Sequence, residues 1–288
     1  MGKKILQAGE YLDRLWTYSD KLGEQWQLLK QLRAEHFDVV IDCMNNPRSV
    51  FYTYYAKAKR SIGFTSLRSF LYTDQVQRPE GGMYIVKEKF LLLEALGFHP
   101  QDSSLWMPYG EEDTKVYASF CERESAFKEA DFKVLISPTH RRHDRRWPLA
   151  NFAELADCLQ QKWGAKVLWI CGPGEEGVLA AVGAKMQTPF LQAPMMNLRE
   201  MLVLMKHCQL FIGNSNGPSH IAVASGIPSL QLHGPTEPMA WCPNTPQQQS
   251  VYGVEDWPGP CAIDGISVGM VLARLQLVLA GANLVIPR

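Results

Sequence analysis

No stretch of the 288-residue sequence approaches the roughly 20 consecutive apolar residues that a membrane-spanning helix needs. The first residues, Met1 to Gln7, have no apolar core of the kind a secretion signal carries before Glu10 interrupts them. These two absences imply a soluble, cytoplasmic chain and leave open only a peripheral contact with the inner face of the cell membrane. Net charge is also missing: 29 basic residues balance 29 acidic ones. Bulk electrostatics therefore gives no attraction to nucleic acid or to anionic lipid, and any anion site must be local. The seven cysteines (Cys43, Cys121, Cys158, Cys171, Cys208, Cys242 and Cys261) form no CxxC pair and are odd in number. Several lie in apolar runs, where a reduced thiol acts as a small hydrophobe rather than as a disulfide or metal ligand.

The second half of the chain alternates strand and helix signals. Lys133–Ser137, Lys166–Cys171, Gln209–Gly213 and Ser229–His233 are short apolar runs of the kind that form buried parallel strands. Between the first two, Phe152, Leu155, Ala156, Leu159 and Trp163 recur at helical spacing; Asn151 with Glu154 predicts a capping box and Gly164 a stop. Asn197 with Glu200 predicts a second capped helix reaching about Cys208, and Pro218–Ser225 a short one closed by Gly226. The first half is less regular. Leu12–Tyr18 reads as strand-like, Gln25–His36 as a helix, Asp38–Asp42 as a strand and Tyr84–Leu96 as a helix. Residues 109–131 are charged and helix-prone, and they read as a connector. There is no internal repeat and no low-complexity segment. The expectation is an α/β chain of two Rossmann-like domains, residues 1–125 and 126–288, with ligands at the carboxyl ends of the strands.

Four strand-end loops carry chemistry. Gly213 to Ala222 (GNSNGPSHIA) is a strand end, a tight polar loop and a helix start at Pro218, where free N–H groups attract diphosphate. Ser215, Asn216 and Gly217 lie in the loop, and His220 in the first turn can donate to a phosphate or leaving-group oxygen. A capped turn with a packing histidine accounts for the same pattern about as well. His140 to Pro148 holds Arg141, Arg142, Arg145 and Arg146 in one loop after a strand, a local positive site suited to bidentate phosphate binding. The plain alternative is a solvated loop. His140 and His143 are joined by no Cys or carboxylate constellation, so no metal is expected there. Glu175, at a helix opening after Gly172-Pro173-Gly174, suits either the helix dipole or ribose hydroxyls. Thr236, in His233-Gly234-Pro235-Thr236, can meet phosphate or sugar but alone marks a turn.

Together these segments resemble the bacterial family 9 glycosyltransferases, the ADP-heptose:lipopolysaccharide heptosyltransferases. The matching residues are Arg145 to Pro148 with Asn151 to Leu155, Gly172 to Glu175, Gly213 to Ala224 and Gly234 to Thr236. Phe37 to Asp42 with Pro47 to Ser49, and Arg60 to Phe64, add to them in the right order. The resemblance implies a GT-B pair of Rossmann-like domains and an inverting, metal-independent transfer with no cofactor. It also implies a nucleotide-sugar donor such as ADP-heptose and a lipopolysaccharide-type acceptor. The chain has no Asp-x-Asp pair, in keeping with that. Carried over by position, Arg145 with Arg146, Glu175, Ser215, Asn216, Gly217, His220 and Thr236 are donor-binding, and Arg48 meets the acceptor.

Three departures stand out. Arg145 replaces a lysine, Ser215-Asn216-Gly217 lacks the family's aspartate, and the expected first strand with its Gly-Asp loop, source of the general base, is not found in this sequence. Asp42 is the substitute candidate, although a strand-end aspartate more often serves as a cap. A donor-binding relative without transfer, or an inactive truncated product, are the competing readings. A nucleic-acid role is not expected of a neutral chain with one short basic cluster.

Overall fold

The computed structural model describes residues 5–6, 11–253 and 261–286. They form two compact units: one runs from residue 10 to Ser103, the other from Ser104 onward with Ile5 packed on its core.

The smaller unit contains α1 (Leu22–Ala34), β1 (Val39–Asp42), α2 (Pro47–Ala56), β2 (Arg60–Phe64), β3 (Asp74–Val76) and α3 (Ile85–Glu94). Its strands pair in parallel in the order β1-β2-β3, with Ile41 opposite Ile62 and Ile62 opposite Asp74. Ile62, Phe64 and Leu92 make its buried core, with Ile41 and Val76 against them. Leu12–Tyr18, expected to be strand-like, forms no regular element. Its side chains are held individually instead: Trp16 meets Phe37 edge-on at 6.1 Å, and Tyr18 lies under the Arg48 guanidinium at 3.8 Å. The run from Val50 to Tyr55 is β-branched and aromatic, yet it is helical because Asn46 caps α2 at Arg48 and Ser49 and Pro47 takes the first helical turn.

The larger unit contains α4 (Glu111–Arg123), α5 (Ser125–Lys128), β4 (Lys133–Ser137), α6 (Leu149–Trp163), β5 (Lys166–Trp169), α7 (Glu176–Gly183), α8 (Leu198–Lys206), β6 (Leu210–Asn214), α9 (Gly217–Ser225), β7 (Ser229–Leu232), α10 (Pro238–Trp241), β8 (Gln248–Val251) and α11 (Val268–Gly281). Its five strands are parallel in the order β5-β4-β6-β7-β8. Alternate residues of each strand face opposite layers. Val134, Val167, Ile212 and Leu230 pack with α6 and α11, while Leu135, Leu168 and Phe211 pack with α8 and α9. Apolar residues are thus needed on both faces, which is why these strands read as unbroken hydrophobic runs.

The expected boundary at residue 125 falls inside this unit. Residues read as a connector are helical and attached: Asp113 of α4 pairs with Arg199 of α8 at 3.2 Å, and Tyr117 stacks on His207 at 4.1 Å. The Asn197–Glu200 capping box is present, with Asn197 accepting from the Arg199 and Glu200 amides. The expected Asn151–Glu154 box is not. Helix α6 starts earlier, at Leu149 after Pro148, because buried Trp147 fixes its entry by donating its N–H to Asn214 and its ring N–H to the Ile266 carbonyl. Gly164 and Gly226, at φ +61° and +77°, end α6 and α9 as expected.

Candidate functional site

The chain leaves β4 toward β5 on one side and returns to β6 on the other, so the ends of β4 and β6 form the switch point where parallel sheets open a crevice. Side chains of the β6–α9 loop tie this point together. Asn214, fully buried, donates to the Pro138 carbonyl at 2.8 Å and accepts from Trp147. Asn216 caps α9 by accepting from the Ser219 amide, and its amide group donates to the Thr139 carbonyl at 2.7 Å. Ser219 closes the loop by donating to the Asn214 carbonyl at 2.7 Å. The Ser215 amide bonds to the Leu232 carbonyl of β7. Asn216, expected among donor contacts, is therefore a residue that holds the loop through both ends of its amide.

The N-terminus of α9 faces open space, because a Cβ built on Gly217 would meet nothing within 4 Å. Of its first-turn donors, the Ser219 amide is capped and Pro218 has no N–H. Gly217 therefore carries the N–H that neither cap nor helix satisfies.

The arginine loop makes a short 3-10 turn at His143–Arg145, and its cations differ in how they are used. Arg142 forms a two-point pair with Asp144, at 3.1 and 2.7 Å. Arg146 donates to the His140 carbonyl and approaches His143 Nδ1. Arg145 has no carboxylate partner among the described residues, and its Nε is buried with no hydrogen-bond acceptor. A charged group in that position is costly unless something else supplies the acceptor. His140 is likewise committed, taking the Arg142 amide on Nδ1 at 3.0 Å. Among the described residues no group of three or more His, Cys, Asp or Glu side chains is placed to hold a metal ion.

The loop after β7 is pressed against the arginine turn. A Cβ on Gly234 would come within 2.9 Å of Ile263 and 3.1 Å of the Asp144 carbonyl, so glycine is required there. This contact seats the Gly234-Pro235 turn beside the arginine turn. His233, fully buried, has Nε2 3.3 Å from Gln231 and no hydrogen-bond partner for Nδ1. Burial first, then the nearby His220 and Arg145, lowers its pKa to about 3. Burial likewise lowers His220, which lies 6.0 Å from the Trp241 ring, and it is the largest cause at His140, where the Arg145 charge adds to it. The Arg145 charge thus lies close enough to His140 and His233 to disfavour their protonation. His233 and Asn214 were not anticipated as site residues. A signal existed for His233: Ser229-x-Gln231-x-His233 places three polar residues on one face of a buried strand.

Glu175 precedes α7 and accepts from the Gly172 amide at 2.9 Å, so one of its oxygens closes its own turn. In the smaller unit, Arg48 is exposed and stacked on Tyr18. Asp42 is nearly buried: one oxygen accepts from the Met44 and Asn45 amides, each at 2.9 Å, and the other from the Tyr72 hydroxyl at 2.7 Å. The Tyr72 ring reaches it across Gly63, where any Cβ would lie 2.3 Å from the ring. The Asp42 carboxylate is a structural anchor.

Residues 25–268 match the family described as glycosyltransferase family 9 (heptosyltransferase). The chain is 29% identical over 245 residues to lipopolysaccharide heptosyltransferase 3 of Escherichia coli K12, covering 78% of this chain and 67% of that protein. It is 24% identical over 251 residues to the lipopolysaccharide core heptosyltransferase OpsX of Haemophilus influenzae, covering 83% and 70%. Among solved structures, a family 9 glycosyl transferase from Veillonella parvula matches with TM-score 0.81 at 20% identity, covering 96% of this chain and 86% of that one. The E. coli ADP-heptose heptosyltransferase II matches with TM-score 0.66 at 18% identity, covering 91% and 82%.

Proposed function

The chain belongs to glycosyltransferase family 9, the heptosyltransferases, whose GT-B class of fold its parallel-sheet α/β units match, and from that premise we propose that it transfers a heptose or similar sugar from a nucleoside-diphosphate donor, ADP-heptose in the first instance, to a lipopolysaccharide core acceptor. The donor's diphosphate lies at the ends of β4, β6 and β7. Arg145 takes the phosphate oxygens on its unpaired guanidinium, the Gly217 N–H and the α9 dipole face the same charge, and neutral His220 donates a hydrogen bond. Thr236 contacts phosphate or sugar, Glu175 offers its other oxygen to ribose, and Ser215 lies where a hydroxyl meets the sugar. Arg146 and Asn216 hold the loops that make these contacts. Arg48 takes an anionic group of the acceptor.

In the step itself an acceptor hydroxyl attacks the anomeric carbon from the side opposite the diphosphate. The carbon–oxygen bond to the diphosphate breaks, and its electron pair departs on the nucleoside diphosphate. Inversion at that carbon follows from the single displacement. The leaving charge is met by Arg145 and the α9 N-terminus, so no metal enters this account. The acceptor proton passes to a base.

The observation that carries the reading is the buried, unpartnered Arg145 Nε at the sheet's switch point. Arg145→Ala should weaken ADP binding by about 100-fold, the loss of a charge-assisted two-point contact. Calorimetry with ADP tests this; unchanged affinity removes the site. The three hydrogen bonds on Asp42 favour a second reading, a donor-binding relative without transfer, because they leave that carboxylate no free role as base. Release of ADP from ADP-heptose in the presence of heptose-deficient lipopolysaccharide separates the two.

A further inference from the structure

The β8 edge of the larger unit's sheet carries a cavity that donor chemistry does not use. It has a volume of about 350 Å³ and lies between α10, the segment leading into β8, β8 itself and α11. That is room for one small molecule. None of the residues assigned above to the donor lines it. Its wall holds a single formal charge, Arg274 of α11. No Asp, Glu, Lys or Arg occurs from Pro238 to Tyr252, and Arg274 is the one charged residue among the 14 of α11.

An arginine on an otherwise uncharged helix ordinarily finds a carboxylate or extends into water. Arg274 is half-buried and forms no ion pair among the described residues. It donates from Nη1 to Gln249 Oε1 at 3.4 Å. A neutral acceptor at that distance leaves the charge and the rest of the guanidinium fork unsatisfied. The neutral groups around it are held by the protein's own bonds. Gln249 donates to the Pro246 carbonyl at 2.9 Å, which keeps its amide oxygen toward Arg274. Ser250 donates its hydroxyl to Asn244 Oδ1 at 2.8 Å. Asn244, in the left-handed region at φ +49°, donates to the Cys242 carbonyl at 3.2 Å. Pro246 is seated on α11, since a Cβ on Gly281 would lie 2.3 Å from its carbonyl oxygen. Met239 of α10 adds an apolar wall. One unpaired cation, fixed hydroxyl and amide groups and an apolar wall are thus in place together.

We propose that this cavity is a second binding site, for a monosaccharide-sized ligand that carries one oxyanion, a phosphate or a carboxylate. The oxyanion meets Arg274, whose planar fork suits two oxygens at once. Sugar hydroxyls donate to the lone pairs that Ser250 and Asn244 still hold, and the ring's apolar face lies on Met239. An apolar ligand would bury the guanidinium charge without an acceptor, and a bare inorganic anion would leave the apolar wall unused. Helix α10 presents Met239 to this cavity and Trp241 to His220, whose ring is 6.0 Å away. The site therefore neighbours the donor loops without sharing a residue with them. The proposal goes beyond the transfer reaction and stands without it.

Calorimetry of the full chain with glucose 6-phosphate, glucuronate, glucose and inorganic phosphate tests it. At least one of the two anionic sugars should bind, and glucose and inorganic phosphate should each bind at least about tenfold more weakly. Arg274→Gln should weaken the anionic sugar at least about tenfold, the loss of a charge-assisted contact. Met239→Trp, at a position 51% exposed, should weaken it by filling the space. Arg145→Ala should leave it unchanged, which separates this site from the donor loops whether or not those loops bind ADP. An unaltered melting temperature shows that the Arg274 variant folds, and Met239→Trp carries the test if it does not. Absence of binding by both anionic sugars, equal binding of glucose or of inorganic phosphate, or full binding by both cavity variants would each overturn the proposal. So would binding that Arg145→Ala abolishes and Arg274→Gln preserves.

Discussion

The strand ends of the two units treat their polar groups in opposite ways. In the smaller unit every oxygen of Asp42 is occupied: two backbone amides on one, a tyrosine hydroxyl on the other. Burial, then the hydrogen bond to Asp42, pushes the Tyr72 phenol up, so it stays a donor at neutral pH. In the larger unit the loops bond to one another through Asn214, Asn216 and Ser219 yet leave Arg145 Nε and His233 Nδ1 buried without partners. Buried polar groups are nearly always paired. A closed set of bonds marks a residue that serves the fold, and an open one at a strand end is where a ligand can complete the set. Trp169 Nε1 and Ser229 Oγ, however, are unpartnered within the larger unit's strands as well. By that criterion Asp42 is committed to the fold, whereas Arg145 keeps a donor with no acceptor in the protein.

The largest test of this contrast is Gly63→Ala. Its Cβ would lie 2.3 Å from the Tyr72 ring, so the ring must leave Asp42 or β2 must move. A loss of about 3 kcal/mol in the smaller unit is expected. Hydrogen exchange of the β1–β3 amides reports it without mixing in the larger unit, whose ADP affinity should be unchanged.

Next comes the pH dependence of the larger unit. The His233 pKa falls from the ordinary 6.5 to about 3 on folding, so the unfolded chain takes up its proton first. Stability is then full above about pH 6.5 and declines as pH falls toward 3. Between pH 7.5 and 5 this one group accounts for about 2 kcal/mol. Urea titrations at the two pH values should show that difference, and His233→Gln should reduce it; an undiminished slope in the variant would assign the effect elsewhere.

The smallest effect is expected at Arg142. Its guanidinium is already paired with Asp144 and exposed, so Arg142→Ala should change ADP affinity by less than about threefold. The same calorimetry that registers Arg145→Ala would register it, and equal losses at the two arginines would erase the distinction between paired and unpaired cations.

Much of the larger unit was legible. Strands β4 to β7 announce themselves because burial on both faces demands continuous apolar residues, and Gly164, Gly226 and Asn197 mark helix ends by local chemistry. Several elements were not recognised, β2 and the short α10 among them. Strand β8 (Gln248–Val251) is polar and β3 (Asp74–Val76) is three residues long, so neither carries a hydrophobic signature; each forms because a neighbouring strand offers it an edge. Helix α2 hides behind aromatic residues that favour strands, and α11 is too uniformly apolar to show a period. The Asn151 capping box failed because a buried tryptophan distant from β6 in sequence sets where α6 begins.

The sequence by itself determined the parallel α/β class, the order of the four strand-end loops and the family to which the chain belongs, because turn glycines, apolar runs and helix caps are local properties. Only the tertiary structure decided which of the residues in those loops are free. Arg142 and Arg145 are alike in sequence, three positions apart, and become different when one finds Asp144 and the other finds no acceptor. Asp42 and Glu175 likewise lose oxygens to backbone amides that come near only after the chain has turned. Hydrogen-bond satisfaction depends on what lies within about 3 Å in space, and sequence spacing does not encode that distance.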